Sequence, residues 1–162
     1  MKLRNMTSIY LMHGEEILLL YRRGSRVVNN TYVSSAGGHF ENDELNDPRR
    51  SMLRELREEL GLEEKDLFQL RLRYVTQRLK NGELRQIYYY FAQIADKQLA
   101  GKSSEGSLQW FAKREALSLP MPVTAKRMLE HYLAEGQFTD ALYAGATTPD
   151  GMVFTELKEF ED

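Results

Sequence analysis

The sequence predicts an α/β fold in a single domain, residues 1–162, with a mixed β-sheet held between two helices. Three observations carry that expectation. Paired runs of strand character occur early, in the middle and late in the chain. An amphipathic helix with legible caps runs from Pro48 to Leu60, and a second runs from Val123 to Ala134. A chain of 162 residues is long enough to bury a real core as one unit.

Taken in order, Thr7 to Met12 and Glu16 to Tyr21 read as strands joined by the tight connection His13-Gly14-Glu15. Arg22, Arg23 and Arg26 follow, and the segment to Ser35 is polar, with Asn29-Asn30 and no strong period. Gly37-Gly38 reads as a turn leading into an acidic loop. The first helix is the best-defined element. Asp47 is a good N-cap and Pro48 suits the first helical position, where a missing N–H costs nothing. Met52, Leu53, Leu56 and Leu60 fall on one face, and Gly61 supplies a residue able to turn left-handed just past the end.

Leu70 to Leu79 and Leu84 to Ile94 are long strands with a hairpin signal, Asn81-Gly82, between them. Alternation sends Tyr88 and Tyr90 to one face and Tyr89 and Phe91 to the other, as expected of a sheet covered on both sides. A polar loop from Ala100 to Ser107 carries Glu105-Gly106. Leu108 to Ala112 is a short strand, Lys113 to Leu117 a helical turn, and Pro120-Met121-Pro122 punctuation before the late helix, which Gly136 stops. Phe138 to Tyr143 and Met152 to Leu157 read as a closing pair of strands around Pro149-Asp150-Gly151.

Chemistry concentrates on the first helix. At about 100° per residue, Glu55, Glu58 and Glu59 spread over an arc of roughly 100° beside the apolar stripe. Like charges at these spacings repel by about 0.2–0.5 kcal/mol per pair on an open helix, so something should compensate. Salt bridging from Arg54 and Arg57 on a solvated face is the ordinary answer. A hard divalent cation such as Mg²⁺ is the functional one, since it prefers carboxylate oxygens and commonly binds together with substrate phosphates. A neighbouring turn without Cβ atoms would let a backbone carbonyl join the coordination.

These residues resemble the Nudix hydrolase family, whose signature is G-x5-E-x7-R-E-U-x-E-E-x-G-U with U a bulky aliphatic. Gly38 and Glu44 match its opening, and Arg54, Glu55, Leu56, Glu58, Glu59, Gly61 and Leu62 match its close. Nine residues rather than seven separate Glu44 from Arg54. Asp47-Pro48 stands where members commonly carry Thr-Pro, so the surplus is Leu45-Asn46, in the loop. The helical register of the glutamates is untouched, and the insertion bears on Glu44. The segment Glu105 to Phe111 is similar to that of MutT-like members that cleave nucleoside triphosphates.

The resemblance implies a Nudix-type α/β/α sandwich with a mixed β-sheet, and a metal-dependent pyrophosphohydrolase using Mg²⁺ or Mn²⁺. The implied substrate is a nucleoside diphosphate linked to a further group, foremost a nucleoside triphosphate, normal or oxidised. ADP-ribose or a nucleotide sugar is the rival, and a nucleotide-sensing module without turnover is the reading from another class. It implies metal ligation by Glu55, Glu58, Glu59 and the Gly37 carbonyl, with Arg54 orienting a glutamate and Glu55 or Glu105 as the base. Arg23 would meet the substrate's phosphates or base, and Trp110, the only tryptophan, either fills the core or stacks on a nucleobase. Ala112 and Lys113 stand where some readers of oxidised purines carry carboxylates.

Composition excludes several alternatives. The chain is 42% hydrophobic and 28% charged with a net charge of −2, so it lacks the basic excess of a duplex-binding protein. No cysteine is present, which removes disulfide and thiol chemistry. Apolar runs such as Ile17 to Tyr21 are too short to span a bilayer, and the N-terminus has no signal-peptide core, so a cytoplasmic protein is expected. His13, His39 and His131 are scattered and form no catalytic dyad.

Overall fold

The computed structural model describes residues 1–24 and 30–161, so Arg26 and Asn29 lie outside the described residues. Among the described residues the chain forms nine strands and three α-helices. The strands are β1 (Lys2–His13), β2 (Glu16–Arg22), β3 (Thr31–Val33), β4 (Ala36–His39), β5 (Leu67–Lys80), β6 (Glu83–Ile94), β7 (Ser107–Ala112), β8 (Leu142–Thr148) and β9 (Gly151–Leu157). The helices are α1 (Pro48–Leu60), α2 (Lys113–Ala116) and α3 (Val123–Ala134).

All nine strands join one mixed sheet in the order β3-β2-β1-β6-β5-β8-β9, with β4 also paired to β1 and β7 to β2. The pairings of β1 with β6 and of β5 with β8 are parallel, and the others are antiparallel. Strand alternation then builds two cores. Ile9, Leu11, Leu18, Tyr90 and Ala92 face α1 and meet Met52, Leu56 and Leu60. Tyr10, Met12, Leu19, Tyr89 and Phe91 face α3 and meet Met128, Leu129 and Tyr132. Each core is a stripe of helix on one sheet face, which is why this fold takes two helical layers.

The caps of α1 stand as the sequence implies. The Asp47 carboxylate accepts the Arg50 N–H, Pro48 opens the helix, and Gly61 takes φ +68° with its N–H donated to the Arg57 carbonyl. The β5–β6 hairpin turns on Asn81 (φ 52°) and Gly82 (φ 72°), the left-handed pair that matches strand twist.

Three elements differ from the sequence expectation. Gly37-Gly38 is not a turn but the middle of β4, paired antiparallel to Thr7 and Ser8. A strand of four residues with two glycines has no readable alternation, and only its partner β1 reveals it. The short strand β3 lies in the segment read as polar and aperiodic. The run expected as a strand at Phe138–Tyr143 instead holds a 3-10 turn at Gly136–Phe138, and the strand begins at Leu142. Phe138, which made that run look apolar, is 76% exposed. Buried Arg73 of β5 donates to the carbonyls of Thr139 (2.5 Å) and Ala141 (3.1 Å), tying this connection down in a non-strand shape.

Candidate active site

The candidate site forms where the acidic edge of α1 presses on β4. The Gly37 N–H donates to Glu59 Oε2 at 3.3 Å. At Gly38 the approach is tighter, since a Cβ there would lie 2.2 Å from Glu55 Oε1. A Cβ on Gly37 would lie 2.4 Å from the Thr7 carbonyl oxygen of β1. One glycine therefore admits the helix and the other admits the neighbouring strand.

Arg54 organises the carboxylates around it. Its Nε and Nη2 donate to Glu44 Oε1 and Oε2 at 2.7 and 2.9 Å, a bidentate pair. Nη1 donates to Glu55 Oε1 at 2.9 Å and to Glu58 Oε2 at 3.2 Å, and Nη2 also reaches the His39 carbonyl at 3.0 Å. Glu44, only 2% exposed, also accepts the Glu41 N–H at the 3-10 turn Asn42–Glu44. The two surplus loop residues fall after that turn, with Leu45 56% exposed, so the insertion projects outward and leaves Glu44 on Arg54. The Arg54 hydrogen bonds are the main cause holding the Glu44 carboxyl down at about 2.

Glu59 is perturbed the other way. Burial first, then the charge of Glu55, push its carboxyl up to about 7, with Glu105 adding and the Gly37 N–H and Arg22 opposing. The two glutamates thus stand beside one another in a partly dry cleft, with Arg54 on the far side of Glu55. The donor set is hard oxygen and fits a divalent cation, with Glu55 and Glu59 as first candidates to hold it and the Gly38 contact fixing Glu55 in place. Among the described residues the carboxylates do not form a closed group of three as they stand. Glu58 is instead drawn to Arg54 and is half exposed.

Glu59 and Gly37 open onto a cavity of about 340 Å³ that runs along the α3-facing side of β1, β6 and β5 to the start of α3. Arg22 lines it, and its Nη2 donates to Glu105 Oε2 at 3.2 Å, so the 105 loop reaches the same place. Arg23 does not line it: its guanidinium lies over the Tyr21 ring, 5.1 Å from the centroid. Adjacent residues at the end of an extended strand face opposite ways, which separates the two arginines. Trp110 does not line it either. The ring packs at the margin of the α1-side core, edge-on to His13 at 6.4 Å with Lys97 Nζ 5.7 Å away.

The structure thus brings together Gly37, Arg54, Glu55, Glu58, Glu59 and Glu105 and adds Arg22, Arg4, Arg78, Arg85 and His39 at the cavity. One signal for the additions was present in the sequence. A two-residue turn at Asn81-Gly82 sets Lys80 opposite Glu83 and hence Arg78 opposite Arg85, the register observed.

Carboxylates at the helix–strand junction stand beside a cleft lined by arginines, and in class the protein is a pyrophosphohydrolase. The NUDIX domain description matches residues 2–132, and the chain belongs to that family. Members typically use divalent metals and act on small nucleotide-derived substrates. Solved structures agree in fold. A MutT mutator protein from Bacillus halodurans superimposes with TM-score 0.68 at 21% identity, covering 94% of this chain and 97% of its own. The ORF135 protein of E. coli gives 0.62 at 26% identity over 83% of this chain and 91% of its own. An Ap4A hydrolase from C. elegans gives 0.60 at 16% identity, covering 83% and 96%. No curated protein matches the chain. Among the described residues no helix is long and apolar enough to cross a membrane.

Proposed function

We propose that this chain, acting as one domain over residues 1–162, hydrolyses a nucleoside diphosphate derivative with Mg²⁺ or Mn²⁺, foremost a nucleoside triphosphate. The observation that carries the reading is the packing of Glu59 and Glu55 against Gly37 and Gly38 at the mouth of an arginine-lined cavity. A sensing module would gain nothing from such a cluster, whereas a cation held there would offset its charge and supply electrostatic stabilisation for a leaving phosphate.

The protein's own residues divide the work. Glu55, Glu58 and Glu59, with the Gly37 carbonyl, would hold the cation. Arg54 sets the rotamer of Glu55 and is itself fixed by Glu44. Arg22 meets a substrate phosphate, taking the part first expected of Arg23, because it, and not Arg23, lines the cavity that Glu59 opens onto. Glu105 takes the proton from the attacking water. Glu55 has one oxygen committed to Arg54 and no room beside Gly38, while the exposed Glu105 carboxylate is tethered, among the described residues, through Arg22.

One panel tests the reading: phosphate or pyrophosphate release from normal and oxidised nucleoside triphosphates, ADP-ribose, nucleotide sugars and dinucleoside polyphosphates, with Mg²⁺ or with chelator. Chelator-sensitive turnover of at least one is expected. Glu105→Gln should lower kcat by about 10²–10⁴, the usual worth of a general base, whereas a loss under tenfold would return that role to Glu55. A panel without metal-dependent turnover would favour the sensing module.

A further inference from the structure

The far end of the cavity carries a feature that cleavage of an anhydride does not require. Arg4 of β1 stands opposite Arg85 of β6, and Arg85 stands opposite Arg78 of β5. Three arginines therefore lie side by side across three adjacent strands, all partly buried and all lining the cavity shared with Glu59 and Gly37. Like charges directly opposite one another on a sheet face are destabilising. A single carboxylate serves the row: Glu83 reaches Arg4 at 3.2 Å and Arg85 at 2.6 Å. Arg78 has no ion-pair or hydrogen-bond partner among the described residues.

A second observation points the same way. The first turn of α3 closes this cavity with Pro122, Thr124 and Ala125, and that helix start has no side-chain cap. The uncapped backbone N–H groups of this first turn and the positive end of the helix dipole thus lie at the cavity that the arginines line. Planar guanidinium forks and helix N–H groups converging on one cavity match phosphate oxygens. Along β1 the row lies four residues from Ser8, which pairs with Gly37, or roughly 13 Å from the acidic edge at 3.3 Å per residue. One phosphate cannot touch both ends.

We propose that the row formed by Arg4, Arg85 and Arg78 binds a second phosphate, carried by the substrate away from the anhydride that is cut. This rests on the hydrolase reading above and narrows it to nucleotides phosphorylated at two separated positions. The anhydride would lie at Glu55 and Glu59 while the distant phosphate sits between the guanidinium groups and α3.

Binding in chelator tests the row without using turnover. Calorimetry at low salt compares adenosine 3′,5′-bisphosphate with adenosine 5′-monophosphate on the wild type, on Arg78→Gln and on Arg78→Lys. The bisphosphate should bind about tenfold more tightly or better, as an added charge-assisted fork supplies. Arg78→Gln should shrink that preference severalfold, and Arg78→Lys should keep part of it. The glutamine variant relieves like-charge crowding, so its melting temperature should hold or rise, which separates lost binding from lost folding. Equal affinity of the two nucleotides for the wild type overturns the proposal. So does a preference that survives Arg78→Gln, which would place the second phosphate elsewhere. A protein that prefers the bisphosphate yet hydrolyses nothing would sink the enzyme reading and leave the row standing; the reverse pattern would do the opposite.

Discussion

Glu59 shows how much one side chain reveals here. Burial and the neighbouring Glu55 charge push its carboxyl up to about 7 from an ordinary value of 4.5. A raised folded value means the native state holds the proton more tightly, so the stabilisation is complete below about pH 4.5 and lost as pH rises through about 7. Melting in chelator from pH 5 to pH 8 should therefore cost the wild type more than Glu59→Gln, which has no proton to lose. At neutral pH the variant should be level with or more stable than the wild type, yet far less active. Parallel pH profiles of the two proteins would refute the assignment. Glu44 has the opposite sign. Held at about 2 by Arg54, it stabilises above its unfolded value and gives that up only as pH falls towards 2. Glu44→Ala takes the bidentate partner from a guanidinium that is 14% exposed and leaves it the Glu55, Glu58 and His39 hydrogen bonds, which should cost about 1–3 kcal/mol by denaturant unfolding. Trp110→Ala should cost about 2–3 kcal/mol as a packing loss and leave KM near that of the wild type, because the ring lies outside the cavity. A KM increase of tenfold or more in a stably folded variant would instead put the ring against the substrate.

At the scale of elements, the two glycines of β4 make a controlled pair. Gly38→Ala drives a methyl into the Glu55 carboxylate, the mobile end of a side chain, so the fold should survive while activity falls about 100-fold. Gly37→Ala drives a methyl into the Thr7 backbone, which has nowhere to go, and should cost about 1–3 kcal/mol by breaking the pairing with β1. Comparable losses of stability and activity in both variants would contradict this division. The elements also differ in how far the sequence discloses them. Helix α1 is legible end to end because Asp47, Pro48 and Gly61 act locally, and its glutamates follow from the helical period. Strand β4 is not, since its identity rests on a partner some thirty positions away in sequence. Choosing Arg22 over Arg23 depends on the parity of a strand end, which composition does not fix. The arginine row is half legible: the hairpin turn pairs Arg78 with Arg85, but Arg4 arrives through a parallel pairing that no local signal announces.

For the molecule as a whole, a cation that binds only the folded state adds RT ln(1 + [L]/Kd) to stability. At 100 times its Kd that is about 2.7 kcal/mol, or several degrees of melting temperature. The wild type should melt higher in millimolar Mg²⁺ than in chelator, and Glu59→Gln should shift less. Indifference of the wild type to Mg²⁺ would remove the metal from the acidic edge.

The central place of β1 also orders events during synthesis. Residues 2–13 emerge before the other strands of the sheet, yet one flank of this strand is completed only by Glu83–Ile94. Until that hairpin is made, the nascent chain holds an open row of backbone donors and acceptors along a largely apolar strand, a template for sticking to other chains. The acidic half of the site needs only the first 59 residues, including β1 and β4. The basic half, begun by Arg4 and Arg22, is completed only by Arg78 of β5, Arg85 of β6 and the start of α3. A chain interrupted between them would carry the glutamates without Arg78 and Arg85, and would expose the edge most prone to clump.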